Sequence, residues 1–245
     1  PIWYPGAKLT LGWNYSYLEH GETVIPDEFR QQGWFWYTSQ LAGFALRPDE
    51  RLQDALDLAM DTSGLGHALS RGLVLGLHVR QGDACADAMR TGRQCDGLET
   101  YMQEVEKMRN ESGVSTILLQ TDSDKVRMKA KTQYPQYSWL MWDGAKEHDK
   151  QVFAEHKTNN WDKIMEQNTA SGNTRQSEET ARLAMVATML LAKSDMFVGK
   201  FSSNFFRLAY ELKAADCNCA VPFASLDASW CFDYAMVAGK SEFLD

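Results

Sequence analysis

The sequence predicts an α/β fold with a doubly wound, mostly parallel, Rossmann-like sheet. Three observations predict it. Continuous apolar runs of strand length recur along the chain, as expected of strands buried on both faces. Stretches of helical length separate them, and that alternation calls for right-handed crossovers. Each of three runs ends in a cluster of polar residues.

Residues 1–33 form an irregular lead-in, with Trp3, Tyr4, Trp13, Tyr15 and Tyr17 among turn formers and no period. Residues 34–245 form the Rossmann-like domain. Trp34 to Leu46 is apolar at near-helical spacing and is stopped by Pro48. Pro48-Asp49-Glu50 opens a second helix, with Leu52, Leu56 and Ala59 on one face. Gly64, Gly66 and Gly72 make a loose link. Leu73 to Val79 is the first buried strand, and Gly97 to Arg109 the next amphipathic helix. Thr116 to Leu119 is the second strand. Ser123 to Tyr134 reads as a helix with Thr121, Asp122 and Ser123 available as its cap. Tyr137 to Trp142 is a third apolar run. Gly144 to Ser177 is polar and nearly unpatterned, and a polar stretch of that length in a compact domain is usually functional or mobile. Glu178 to Lys193 is a long helix with two acids in its first turn, where the helix dipole favours them. Asp195 to Gly199 is the fourth strand, and Ser202-Ser203-Asn204 caps a helix running through Leu212.

The 245 residues are 44% hydrophobic and 24% charged, enough for one large domain with its own core. A net charge of −8 argues against a general binder of nucleic acid or of a membrane surface, since both are anionic. No apolar run reaches membrane-spanning length. The chain opens at Pro1 with no signal peptide and reads as a trimmed piece of something longer.

The five cysteines include no CxxC pair, and no ligand spacing matches zinc. Cys217-Asn218-Cys219 is too tight for a usual metal knuckle. Cys85 and Cys95 bracket a loop of a length that a disulfide can close. With the sequons Asn14-Tyr15-Ser16 and Asn110-Glu111-Ser112, they favour an oxidising, lumenal setting. The odd count leaves at least one thiol free or intermolecular.

Ligands of doubly wound sheets bind beyond the carboxyl ends of the strands. Three such ends carry chemistry: His78 to Asp83, Gln120 to Asp124, and Gly199 to Asn204. The last is a helix N-terminus, which suits an anion, and Arg80 brings a guanidinium that forks onto phosphate oxygens. Taken singly, each has a plainer reading as a cap, an ion pair or a core histidine. GxGxxG, GxxxxGK[ST] and GxSxG are all missing, which weakens the dehydrogenase, P-loop and hydrolase readings.

The segment Gly76-Leu77-His78-Val79-Arg80-Gln81-Gly82-Asp83 resembles the GxHVRRxD motif of the fucosyltransferase superfamily, most of all its α-1,6 branch. Trp36 to Gln40 with Arg47-Pro48 is similar to that branch's WWxSQ…RP segment. Thr121-Asp122 with Ala130 to Pro135 is similar to its ATDD…AKxKYP segment. Phe201 to Glu211 is similar to FSSQxCRxAYE, and Ser225-Leu226-Asp227 to a late SLDD. The order is collinear over about residues 34–227.

The resemblance implies the C-terminal, donor-binding half of a GT-B glycosyltransferase. It implies an inverting, metal-independent enzyme without cofactor that moves fucose from GDP-fucose to a glycan or glycoprotein acceptor. It implies that Arg80 holds the β-phosphate and steadies the leaving group, and that His78 meets the guanine. Arg175 would contact the nucleotide, Ser202 and Ser203 with the adjoining Asn204 amide the phosphates, and Asp122 would order the crevice. Asp83 or Asp87 would be the base. It further implies a Golgi or other secretory-lumen location and a missing N-terminal domain of the same protein as a partner. The chain departs from the pattern at Gln81, Ala84, Ala88 and Ala187, where the family has arginine, lysine, an acidic base and a guanine-reading aspartate. Two other readings therefore stand: a non-catalytic nucleotide-sugar or glycan-binding module, and a structural domain that pairs through its aromatic lead-in.

Overall fold

The structure is a computed structural model that describes residues 25–81, 85, 95–142 and 174–230. A short 3-10 helix, Asp27–Gln32, leads into α1, Gly33–Ala45. Then come α2 (Glu50–Ser63), α3 (Leu65–Leu69), β1 (Val74–Val79), α4 (Leu98–Ser112) and β2 (Thr116–Thr121). The chain continues through α5 (Asp124–Gln133), β3 (Ser138–Leu140), α6 (Thr174–Ala192), β4 (Met196–Gly199), α7 (Asn204–Cys217) and β5 (Phe223–Ser225).

The five strands lie in the order β3-β2-β1-β4-β5 and every pairing is parallel. That order reverses direction between β1 and β4, as in doubly wound nucleotide-binding folds. Successive side chains of a strand point to opposite faces, and the two core clusters divide accordingly. Val74, Leu118 and Phe197 meet α2, α6 and α7 on one face. Leu75, Leu77, Val79, Ile117, Leu119 and Val198 meet α4 and α5 on the other. Burying each such side chain contributes about 1.5–3 kcal/mol. β1 is buried at every residue, the signature of a central strand.

Local chemistry sets the element ends. Asp49 caps α2 by accepting from the Leu52 amide at 2.8 Å, and Ser123 caps α5 by accepting from Val126 at 3.4 Å. Gly64 and Gly113 follow α2 and α4 with φ of 75° and 76°, which glycine adopts without strain. At Gly199 a Cβ would lie 2.5 Å from the Phe206 ring, so only glycine lets α7 close on β4.

Several expectations need correction. The lead-in is not wholly irregular, because residues 27–32 are helical and Phe29 packs on Trp36 and Tyr37. The glycine link holds the short helix α3. The run at Tyr137–Trp142 gives only three strand residues, since it forms a sheet edge. α6 starts one turn earlier than its two acids suggest, and α7 runs five residues beyond Leu212, to Cys217. The sequence does not announce β5: three residues after a proline carry too little pattern. The remainder of the polar stretch, residues 144–173, lies outside the described residues.

Candidate functional site

The carboxyl ends of β1, β2, β4 and β5 meet where the strand order reverses. His78, the fifth residue of β1, is 7% exposed and stacks on Phe205 at 4.9 Å and on Phe206 at 6.2 Å. Burial, helped by the charge on Arg80, lowers its pKa to about 3, so the imidazole is neutral near physiological pH. Its partner in register on β2 is Gln120. Gln120 is 6% exposed, and its Nε2 is buried without a hydrogen-bond partner.

Arg80 follows β1 and is half-buried. The Gln81 amide N–H donates to Asp122 Oδ1 at 2.9 Å, and Gln81 Nε2 donates to the Asp96 carbonyl at 2.8 Å. Asp122 thus ties the end of β2 to the end of β1. Across the reversal, Lys200 Nζ stands 2.5 Å from Asp96 Oδ2, with side chains only 12% and 11% exposed.

The approach to α7 is organised by Asp227. It accepts from Ser202 Oγ, and from Ser225 Oγ at 3.3 Å. Ser225 Oγ in turn accepts from the Phe201 amide at 3.2 Å. Ser203 occupies the capping position of α7 but makes no side-chain cap, a correction to the capping reading. Its Oγ is buried without a partner. Asn204 is the exposed first residue of the helix. Beneath these groups Tyr101 is 1% exposed. Burial, then the charges of Asp96, Asp227 and Asp122, push its phenol far above the ordinary range.

The structure therefore brings together His78, Arg80, Asp122, Ser202, Ser203 and Asn204. Arg175 stands in the first turn of α6, and its side chain is outside the described residues. Asp83 and Asp87 also lie outside them. The Cys85–Cys95 disulfide is formed and closes the loop that carries Asp87, while Asp83 precedes that loop in the sequence. Ala187 packs against the core. Asp96 and Tyr101 carry no signal in the sequence, and Gln120, Lys200 and Asp227 fall in its motifs without a role of their own. Asp96 adjoins Cys95, and Asp227 ends the quoted Ser-Leu-Asp, but only folding shows that they converge.

Two wider grooves lie elsewhere. One of about 530 Å³ sits at the amino edge of the sheet beside His67, Arg71 and Ser138. The other, about 580 Å³, lies between α1, α2, α6 and α7. Neither adjoins the strand reversal, which gathers the charged and orphaned polar groups. Among the described residues no cluster of three or more His, Cys, Asp or Glu is arranged to hold a metal.

A family model for α-(1,6)-fucosyltransferase N- and catalytic domains matches residues 27–230. The chain belongs to the α-(1,6)-fucosyltransferase family. The α-(1,6)-fucosyltransferase of Drosophila melanogaster is 27% identical over 199 residues, which cover 79% of this chain and 26% of that relative. The chain thus spans about a quarter of the length of the curated relative it matches. The parallel sheet and its reversal are the doubly wound fold that the sequence predicts. No described helix is long and apolar enough to cross a membrane.

Proposed function

We propose that the chain is the donor-binding part of an inverting fucosyltransferase that moves fucose from GDP-fucose to a glycan or glycoprotein acceptor. The observation that carries this is the placing of Arg80 and the α7 N-terminus on β1 and β4, the two strands flanking the reversal. A diphosphate between them meets a guanidinium and the N-terminal end of a helix. Two buried donors, Gln120 Nε2 and Ser203 Oγ, lack acceptors that a nucleotide's oxygens would supply. Neutral His78, stacked on Phe205, offers the base a hydrogen-bonding edge without charge.

The acceptor oxygen attacks the anomeric carbon as the bond from that carbon to the diphosphate oxygen breaks. Attack from the opposite side inverts the centre. The acceptor proton passes to a carboxylate, for which Asp83 and Asp87 are the candidates. Charge growing on the departing diphosphate is met by Arg80 and the α7 amides, a demand that needs no metal. The reading places the protein in the secretory lumen, most naturally the Golgi, with the family's N-terminal domain as the acceptor-side partner.

The test is calorimetric titration with GDP beside UDP and ADP, without and with magnesium. Selective GDP binding that magnesium leaves unchanged is expected, and Arg80→Ala should weaken it at least tenfold. Normal binding and turnover in Arg80→Ala would sink the assignment. A non-catalytic nucleotide-sugar module is the second reading. It is favoured by Ala187, which faces core, and by Gln81, whose amide is already engaged with Asp96. Slow donor hydrolysis without acceptor separates the two, because only the enzyme should show it.

A further inference from the structure

Cys217 and Cys219 are joined by a disulfide across a single residue. They close α7 at the end away from the crevice, about 20 Å along a helix of this length. Residues 216–219 are exposed, so both sulfurs are open to solvent-borne reagents. Asn218 between them holds a left-handed conformation at φ 50° and is the C-cap of α7. That cap does not need the sulfur bridge. The Asn218 N–H donates to the Ala214 carbonyl, as does the Cys219 N–H at 3.3 Å. Trp36 Nε1 of α1 donates to Asn218 Oδ1 at 2.6 Å.

A disulfide stabilises a fold mainly through the loop that it closes in the unfolded chain. Cys85–Cys95 closes a separation of 10 residues, whereas Cys217–Cys219 closes a separation of 2. The second bridge therefore restrains the unfolded chain least, and the helix end it spans is already capped. Exposed bridges of low structural value are the ones that exchange.

We propose that Cys217–Cys219 is a site of reversible thiol–disulfide exchange with a thiol-bearing partner. The partner's thiolate attacks Cys217 Sγ and forms a mixed disulfide there as the bond to Cys219 Sγ breaks. Cys219 leaves as a thiolate and takes a proton from water. A second partner thiolate then attacks the partner's sulfur in the mixed disulfide. Cys217 is released as a thiol, the partner becomes a disulfide, and two electrons have passed to this chain. Cys219 is the leaving sulfur for an electrostatic reason. Negative charge on Cys217 would sit at the carbonyl end of α7 beside Asp216, whereas Cys219 lies beyond the helix. This inference does not rest on the donor-site reading.

The test uses the oxidised 245-residue chain. One arm receives glutathione and another a reduced dithiol protein of thioredoxin type. Both are quenched with a maleimide and mapped by peptide mass spectrometry. Cys217 and Cys219 should become labelled at thiol concentrations about tenfold below those that open Cys85–Cys95, with the far-ultraviolet circular dichroism unchanged. A glutathione adduct should be trapped on Cys217. Opening by glutathione identifies a small thiol as the partner; opening only by the dithiol protein identifies a protein. Resistance to both until the fold is lost, or labelling of Cys217 or Cys219 before any reductant is added, would overturn the proposal. The Cys217→Ser/Cys219→Ser variant should keep the fold, and its loss of stability on that change would equally count against an exchangeable bridge.

Discussion

Acidification should destabilise the chain through His78, and the amount can be worked out. The folded imidazole titrates at about 3, against 6.5 when free, because burial and Arg80 disfavour its charge. Between those values the unfolded chain holds the extra proton, so stability rises with pH in that window and falls as pH drops through it. The full gap corresponds to about 5 kcal/mol, reached only below the folded value. Going from about pH 7 to about pH 5 removes about 2 kcal/mol. For a chain of this length that is a fall in Tm of about 4–8 °C. His78→Phe keeps a ring to stack on Phe205 and removes the titration. Urea unfolding of both proteins at the two pH values gives the difference, since the remaining groups titrate in both and cancel. The wild type should lose about 2 kcal/mol more than the variant. An equal loss in both would refute the buried neutral imidazole, and with it the uncharged edge assigned to His78.

Three further outcomes are expected. Lys200→Met removes the cation that faces the nearly buried Asp96 carboxylate, and should cost about 3 kcal/mol in denaturant unfolding; adding Asp96→Asn should restore most of it. Gly199→Ala sets a methyl against the Phe206 ring and should cost about 1–3 kcal/mol, read as a lowered Tm, with weaker GDP binding because α7 shifts. Cys85→Ser/Cys95→Ser opens the bridged loop and should cost about 3 kcal/mol, again by urea unfolding, with turnover reduced further if the base lies in that loop.

The fold was legible wherever burial is continuous along the chain. β1, β2 and β4 are central strands, so their apolar runs carry no polar interruptions and cannot be misread as loops. β3 and β5 are edges of three residues, and an edge strand asks too little of its sequence to announce itself. The site divides in the same way. Arg80, Asp122 and Ser202 to Asn204 follow strands directly, so locating the strand ends locates them. Asp96 precedes a helix and Tyr101 lies within one, on the far side of a loop. Their approach to Asp122 and Asp227 is tertiary and leaves no spacing to read.

Asp96 is where these threads meet. Its carbonyl accepts from Gln81 at the end of β1, and its carboxylate pairs with Lys200 at the end of β4. It also follows Cys95, the closing half of the bridged loop. One residue thus fixes the exit of that loop to both strands of the reversal. Gln81 is neutral where a family arginine is expected, and a neutral amide suits this role better than a guanidinium. A carbonyl needs one donor, and a third cation beside Arg80 and Lys200 would add repulsion that only a bound diphosphate could offset. The substitution that weakens the family motif as a phosphate clamp therefore strengthens it as a fastening for the loop that holds Asp87.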